Sequence, residues 1–255
     1  REYLLSLDVD RLLHTFRTNA GLPSMAEPLG GWEEPKCELR GHFVGHYLSG
    51  CALMYAATGD EPIRQKAEKL VAGLAECQKA LKSGYLSAYP ESFIDRVEKQ
   101  ERVWAPWYTL HKIFAGLEDM YVYCGDRQAL DVARRFGDWV KSRFDRLTDE
   151  QVQGMLKNEH GGMNETLANL YALTGEKKYL DLALRFNHAA VLDPASKSED
   201  RLTGLHANTQ FPKFIGAARE YELTGNESLR DAATFFWNTV VHERSYVIGG
   251  NSDNE

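Results

Sequence analysis

A six-residue pattern that recurs four times constrains the fold more than any other feature of this sequence. Each copy reads Tyr, two variable residues, Thr or Cys, Gly, and then Asp, Glu or Asn. The copies occupy positions 55–60, 121–126, 171–176 and 221–226, so successive tyrosines lie 66, 50 and 50 residues apart. Self-similarity at a spacing of this order indicates an array of supersecondary units.

The chemistry of the pattern predicts a tight turn between two helices. Glycine takes the left-handed conformation that ends a helix, and the Asp, Glu or Asn that follows can cap the next helix. The glycines are Gly59, Gly125, Gly175 and Gly225. Amphipathic runs with apolar residues at helical spacing follow them at 61–81, 127–144, 177–190 and 227–241.

The helices before the turns have a different composition, which predicts an inner and an outer layer. Segment 43–55 is apolar on most sides, as a buried helix would be, and 109–120 and 211–221 also carry small residues. Repeated inner and outer hairpins form an open solenoid or a closed (α/α)6 toroid, which needs roughly 300 residues at about 50 per unit. We therefore predict an all-α fold of alternating inner and outer helix hairpins, incomplete in this chain. Only 245–248 has a short β-like pattern.

Composition argues against several classes of function. The 255 residues carry a formal net charge of −7 with both signs interspersed, whereas a nucleic-acid partner requires a basic patch. No apolar stretch reaches the length of a transmembrane helix, about 18 residues, so we expect no membrane partner. The four cysteines, Cys37, Cys51, Cys77 and Cys124, form no C-x-x-C pair, and Cys51 and Cys124 lie in apolar contexts typical of buried residues. Neither an initiator Met nor a signal-peptide pattern is present, which indicates a mature or trimmed start.

Polar and aromatic side chains cluster about three helical turns before each repeat tyrosine. If the hairpins close into a ring, these clusters meet at one mouth. Imidazoles, amides and carboxylates hydrogen-bond hydroxyl groups, and indole rings pack on the apolar face of a sugar, so the clusters predict a carbohydrate ligand. The candidate substrate-binding residues are His42, His46, Trp107, His111, His160, Asn164, Glu165, His206 and Asn208.

A fifth polar run, 249–255, follows the last helical pattern and ends at Glu255. Loops on rigid scaffolds commonly carry catalytic groups, and a carboxylic acid there can protonate a leaving glycosidic oxygen. Glu255 is therefore the candidate catalytic residue.

Each cluster also has a structural interpretation. A single helical histidine usually bonds a neighbouring backbone group, and His14, His188 and His242 are assigned to that class. Trp104 and Trp107, taken alone, are more typical of a core than of a ligand platform. His42 and His46 have the i, i+4 spacing of metal ligands, but the metalloprotease pattern with an intervening Glu is absent, so no metal is assigned to them.

Five longer strings carry a resemblance that covers the whole chain in order. They are Arg40-Gly-His-Phe-Val-Gly-His-Tyr-Leu-Ser49, Tyr108-Thr-Leu-His-Lys-Ile-Phe-Ala-Gly116, Gly161-Gly-Met-Asn-Glu165, Gly204-Leu-His-Ala-Asn-Thr-Gln210 and Ser245-Tyr-Val-Ile-Gly-Gly-Asn-Ser-Asp-Asn-Glu255. Together they resemble the β-L-arabinofuranosidase group, glycoside hydrolase families 127 and 146.

The resemblance implies an (α/α)6 toroid followed by β-sandwich domains, with 1–255 as part of the catalytic domain. It implies a retaining, exo-acting hydrolase whose partner is an arabinofuranose-containing glycan from plants. Glu255 matches the family's general acid/base. His111, His160 and His206 match positions that hold sugar hydroxyls, although many relatives have another residue at the position of His160.

The family's nucleophile is a zinc-bound cysteine thiolate. None of the four cysteines lies in a matching context, so zinc is implied by the resemblance while its ligands and the nucleophile are expected beyond Glu255. The fragment alone is then expected to be inactive. A periplasmic or extracellular location is favoured over a cytoplasmic one, and no oligomeric state is predicted.

Two other classes of protein remain as alternatives. One is a different (α/α)6 sugar-active enzyme, such as an unsaturated glycuronyl hydrolase or a sugar epimerase, because a fold alone does not define chemistry. The other is a helical-repeat scaffold, which would bind a protein or peptide along a concave groove and ignore monosaccharides.

Overall fold

The computed structural model describes residues 1–251 and divides into two compact units. Unit 1 is Arg1–Arg146, and unit 2 begins at Leu147. Over the described range all regular structure is helical, with no strand, and no helix there is long and apolar enough to cross a membrane. The elements are α1 Glu2–Ser6, α2 Val9–Asn19, a 3-10 turn Gly31–Glu33, α3 His42–Thr58, α4 Glu61–Leu81, α5 Ser92–Glu98, α6 Pro106–Cys124, α7 Arg127–Phe144, α8 Asp149–Met155, α9 Met163–Thr174, α10 Lys177–Arg185, α11 Ala189–Ser196, α12 Ala207–Thr224 and α13 Glu227–Glu243.

The four copies of the repeated pattern join α3 to α4, α6 to α7, α9 to α10, and α12 to α13. The four glycines have φ angles of 69°, 70°, 73° and 69°, which is the left-handed region. In each, the glycine N–H bonds the carbonyl of the repeat tyrosine and so ends the first helix. The predicted helix hairpins are therefore confirmed.

The residue after the glycine caps the second helix in three of the four copies. The side chains of Asp60, Asp126 and Asn226 accept hydrogen bonds from backbone N–H groups of the first turn. Glu176 makes no such bond, and its carboxylate instead pairs with Lys178 at 2.8 Å. The capping prediction is thus wrong for Glu176, because the longer Glu side chain is not a good N-cap group.

Two glycines allow α3 and α6 to cross at close range in unit 1. A Cβ added to Gly116 would lie 2.6 Å from the carbonyl oxygen of Gly45 and 2.9 Å from the Cβ of Leu48. A Cβ on Gly45 would overlap the backbone carbonyl of Lys112. The small residues predicted in these helices therefore serve backbone-to-backbone packing.

Aromatic rings fill the core of each unit. In unit 1, Phe114 and Phe136 stack with centroids 4.3 Å apart, and in unit 2 Phe214 and Phe236 stack at 3.9 Å. Such contacts add to the area that they bury. Cys51 and Cys124 are both buried, as predicted.

The predicted helix 177–190 is interrupted. α10 ends at Arg185, and α11 starts at Ala189. Between them Asn187 accepts a hydrogen bond from Asn164 at 3.2 Å and donates one to Glu220 at 2.7 Å. The side chain of Gln153 satisfies the backbone at both sides of the break, bonding Asn187 O and Ala189 N at 2.9 Å each. These long-range bonds replace the helical ones that are lost.

The β-like prediction for 245–248 is wrong, because these residues form a turn. The N–H of Tyr246 bonds the carbonyl of Gly250, and the N–H of Gly249 bonds the carbonyl of Tyr246 at 2.8 Å. Gly249 has a φ of 84°, a conformation that favours glycine.

Candidate active site

In unit 1, helix α3 begins on a buried carboxylate. Glu33 accepts hydrogen bonds from the N–H groups of Gly41, at 2.6 Å, and Phe43, at 2.9 Å. Its negative charge complements the helix dipole, and Gly41 has no side chain to do so. The Nδ1 of His42 lies 2.7 Å from Glu33 and 2.9 Å from the carbonyl of Leu39. Both neighbours are acceptors, so Nδ1 carries a proton.

Aromatic and imidazole rings surround His42. Its ring centroid lies 5.8 Å from that of His46 and 6.1 Å from those of Tyr108 and Trp32. The Trp32 ring in turn lies 6.5 Å from the Trp104 ring in an edge-on arrangement. Trp32 is 64% exposed and Trp104 is 47% exposed, whereas His42 is buried beside Trp32.

His46 and His111 occupy different depths. His46 is exposed in part, yet desolvation by the surrounding protein, the Lys112 ammonium and His42 lower its pKa to about 4. It is therefore neutral at pH 7 and can both donate to and accept from hydroxyl groups. His111, on α6, is buried. The Lys112 ammonium lies 5.0 Å from the centroid of the Tyr108 ring, on the same helix.

Trp107 belongs to the core of unit 1. Its side chain is fully buried, with ring centroids 6.1 Å from Trp139 and 5.8 Å from Phe144. A platform for a sugar needs an open ring face, so the predicted substrate contact of Trp107 has no support here. The exposed rings of this cluster are Trp32 and Trp104 instead.

In unit 2, a buried histidine presents an unpaired ring nitrogen. His160 donates from Nδ1 to the carbonyl of Asn158 at 3.1 Å, and its Nε2 has no hydrogen-bond partner among the described residues. Burial, with the nearby Lys213 ammonium, lowers the pKa of His160 to about 3. The ring is therefore neutral, and Nε2 is a lone-pair acceptor with capacity for one hydroxyl.

A buried lysine lies behind His160. The Nζ of Lys213 donates to Nδ1 of His188 at 3.1 Å and to Oε1 of Gln210 at 3.0 Å. Burial lowers the pKa of Lys213 to about 8, and burial together with Lys213 lowers the pKa of His188 to about 4. An ammonium only donates, so His188 accepts through Nδ1 and carries its proton on Nε2. The His188 and His160 ring centroids are 6.1 Å apart, so His188, assigned above to the structural class, lies against a candidate site residue.

Asn164 joins α9 to α12. Its amide nitrogen donates to the carbonyl of Lys213 at 3.0 Å and to Asn187 at 3.2 Å, and its side chain lies directly on Gly216, where a Cβ would overlap it. Asn187 also bonds Glu220, whose burial raises the pKa of that carboxyl to about 8. Asn164 is buried and its donors are used, which gives it a positioning role, while its Oδ1 has no hydrogen-bond partner among the described residues.

The remaining candidates in unit 2 are more accessible. His206 and Asn208 are exposed at the start of α12, and Glu165 is half-buried in the first turn of α9. A cavity of about 360 Å³ lies near the start of α12, lined in part by Ala207 and Gln210. Glu255 lies outside the described residues, so its placement stays a prediction.

The structure thus brings His42 and His46 together in unit 1. In unit 2 it brings His160 near Lys213, whose backbone carbonyl accepts a hydrogen bond from Asn164. Sequence reasoning missed Trp32, Glu33, Lys213 and Glu220. Both Lys213 and Glu220 lie on α12, whose segment 211–221 was predicted to be an inner helix, and a charged residue on such a helix was the available signal. Nothing in the local pattern marked Glu33, because its partners lie 8 to 10 residues later in the chain.

The three buried cysteines do not fit a zinc-bound thiolate. Burial raises the pKa of Cys51, that of Cys77 to about 12 and that of Cys124 to about 11, so these thiols are held protonated. Within residues 1–251 no group of three or more His, Cys, Asp or Glu side chains is arranged to hold a metal ion.

Comparison with known proteins supplies the family. A family model described as β-L-arabinofuranosidase, GH127 catalytic domain, matches residues 1–255. A GH127 β-L-arabinofuranosidase from Geobacillus stearothermophilus T6 is similar in structure, with a TM-score of 0.71 and 18% identity over 97% of this chain and 42% of that one. A second solved GH127 β-arabinofuranosidase has a TM-score of 0.67 and 18% identity over 98% of this chain and 42% of that one. A structure described only as a glycoside hydrolase has a TM-score of 0.60 and 17% identity over 95% of this chain and 36% of that one. No curated protein matches the chain.

At these identities the solved structures show the fold alone, and this chain spans about two fifths of their length. The predicted all-α fold class, part of an (α/α)6 toroid, is confirmed by that similarity. Membership of family 146 stays a prediction. The match along the full sequence, together with the confirmed hairpins, establishes that this chain belongs to the catalytic-domain family of the family 127 β-L-arabinofuranosidases.

Proposed function

We propose that this chain is part of a glycoside hydrolase that releases β-linked L-arabinofuranose from plant-type glycans. The observation that carries the proposal is the family match over residues 1–255. The names of the two solved GH127 relatives, both β-arabinofuranosidases, point to the same substrate class.

The histidines of the candidate site suit a neutral, hydroxyl-rich ligand. His160 is neutral at pH 7 and has a buried acceptor nitrogen without a protein partner. An unpaired buried acceptor is costly, and a sugar hydroxyl that donates to it removes that cost. His46 is also neutral and accessible. We assign hydroxyl contacts to these two residues and to His42 and, by the resemblance of their sequence strings to the family, to His111 and His206.

Glu255 is our proposed general acid/base. A carboxylic acid at that position would protonate the leaving glycosidic oxygen and then take a proton from water in a retaining reaction. Zinc and a cysteine nucleophile are expectations of the family resemblance, and the three buried cysteines do not fit that role. We propose, as the resemblance implies, that those groups lie beyond Glu255.

The test is an activity assay on a protein extended past Glu255. Release of L-arabinose from an aryl β-L-arabinofuranoside is measured for the extended protein, for its Glu255→Gln variant and for a chelator-treated sample. We expect activity in the first and a loss of at least about 100-fold in the variant, the usual scale of general acid/base catalysis.

The outcomes separate the parts of the proposal. Activity that survives in Glu255→Gln removes this residue from the mechanism and leaves the substrate assignment standing. Activity that survives treatment with the chelator excludes the metal from the mechanism. Turnover of a uronide or a free sugar, with none of any arabinofuranoside, refutes the proposed chemistry and supports a different sugar-active enzyme.

A further inference from the structure

We propose that Trp32 is a sugar-stacking platform at the rim of the unit 1 cluster, where it binds the ring next to the terminal arabinofuranose. Its indole is 64% exposed although it lies in a turn that is firmly anchored to α3. The proposal rests on the proposed function for the identity of the ligand.

The anchor of this platform is Glu33, the neighbour of Trp32 in the 3-10 turn. Glu33 is 8% exposed, and its carboxylate bonds two backbone N–H groups at the start of α3 as well as Nδ1 of His42. Two charge-assisted hydrogen bonds, together with the close pairing of the carboxylate with His42, hold the turn against α3. The position of Trp32 over His42 is therefore set by the folded backbone before any ligand binds.

A second carboxylate anchors the neighbouring indole. Glu38 accepts from the N–H of Trp104 at 2.9 Å and from the guanidinium of Arg96 at 2.8 Å. Trp104 is 47% exposed, and its ring meets the Trp32 ring edge-on at 6.5 Å. Two exposed rings at nearly a right angle, 81°, form a corner that exposes apolar faces beside polar side chains.

Burial sets the order of the ligand along the cluster. His42 is 7% exposed and Trp32 is 64% exposed, so His42 forms the inner part of the cluster and the indole the outer part, with the exposed His46 beside His42. A ring whose hydroxyls meet His42 and His46 leaves the indole face for the ring linked to it. Stacking on an aromatic face suits the C–H face of a sugar, and the nearby imidazoles supply hydrogen bonds that a purely apolar partner would leave unused.

The test compares ligands of one and two rings by calorimetric titration of the 255-residue chain. The ligands are methyl β-L-arabinofuranoside and a β-L-arabinofuranosyl disaccharide. We expect Trp32→Ala to weaken disaccharide binding at least tenfold and methyl glycoside binding less than threefold. Trp32→Phe, which keeps a ring face, should restore most of the affinity for the disaccharide. Trp237→Ala is the matched control, because Trp237 on α13 is 66% exposed, and it should change neither affinity.

Several results would overturn the platform. Unchanged disaccharide affinity in Trp32→Ala, an equal loss for both ligands, or no rescue by Trp32→Phe would each do so. So would the absence of binding of either sugar to the unsubstituted chain, or tetramethylammonium binding that depends on Trp32 while sugar binding does not, since aromatic corners also bind cations.

The failure of the proposed function can be told apart from the failure of this inference. Disaccharide binding that depends on Trp32, with no arabinose released by the extended protein, refutes the activity and keeps the platform. Arabinose release together with a Trp32-independent disaccharide affinity refutes the platform and keeps the activity.

Discussion

The close crossing of α3 and α6 predicts that Gly116→Ala destabilises unit 1, although alanine normally favours a helix over glycine. The added Cβ would lie 2.6 Å from the carbonyl oxygen of Gly45, whereas carbon and oxygen atoms normally approach to about 3.3 Å. The helices must separate by about 0.7 Å, which loses a quarter to a half of each contact across the gap.

The magnitude follows from two opposed terms. Overpacking of a tight interface costs about 1–3 kcal/mol, and the higher helix propensity of alanine returns about 1 kcal/mol. The obstructing atoms are backbone and cannot rotate away, so we take the upper part of the range and expect a net loss of about 2 kcal/mol. The midpoint temperature should fall by about 4–8 °C for a unit of this size.

Gly50→Ala is the control for this prediction. Gly50 lies in α3, and a Cβ there would meet only the Leu4 side chain at 3.9 Å. The same substitution should therefore stabilise by about 0.5–1 kcal/mol. Urea unfolding followed by tryptophan fluorescence is a suitable assay, because four of the five tryptophans lie in unit 1. Equal effects of the two substitutions, within about 0.5 kcal/mol, would refute the close crossing.

Three further predictions concern the helix starts at Asp126 and Glu176 and, in unit 2, the buried ionisable groups Glu220 and His188. Asp126→Ala should lower the free energy of unfolding by about 1 kcal/mol and Glu176→Ala by less than about 0.5 kcal/mol, because only the Asp126 side chain caps a helix. Thermal unfolding measures both, and equal losses would contradict this. The pKa of Glu220 is raised to about 8, so this residue contributes stability that is fully present below its unfolded-state pKa of about 4.5 and is lost as the pH rises toward 8. Glu220→Gln should therefore remove that loss and gain about 2 kcal/mol at pH 8 in urea titrations, while an unchanged pH slope would count against it. The pKa of His188 is lowered to about 4, so this residue contributes stability that is fully present above pH 6.5 and is lost as the pH falls toward 4. His188→Gln, whose side chain can still accept a hydrogen bond from Lys213, should reduce this loss of stability in acid by about 2 kcal/mol, measured by unfolding at pH 4 and 7. A pH profile like that of the parent chain would refute the assignment.

Of the candidate site, the residue types and their approximate places were predictable, but their roles were not. His42, His46 and His160 were identified from their place in the repeat, and the structure gives each a specific environment. Trp107 and Asn164 were selected on the same ground, yet both are buried in packing roles. A local pattern records that a residue is polar or aromatic, and it does not record which distant element will cover that residue.

The sequence by itself determined the helix hairpins and where most of them end. Glycine is the residue that takes the left-handed conformation without strain, and Asp or Asn caps the next helix within three residues, so both signals act locally. For this reason the predicted limits 61–81 and 127–144 agree with α4 and α7.

Only the tertiary structure decided the features that depend on distant partners. The break between α10 and α11 exists because Asn187 bonds Asn164 and Glu220, which lie 23 and 33 residues away in the chain. The anchored turn of Trp32 and Glu33 likewise depends on backbone groups at the start of α3. Such bonds form only when the folded chain brings remote groups within hydrogen-bonding distance, so no local pattern in the sequence could reveal them.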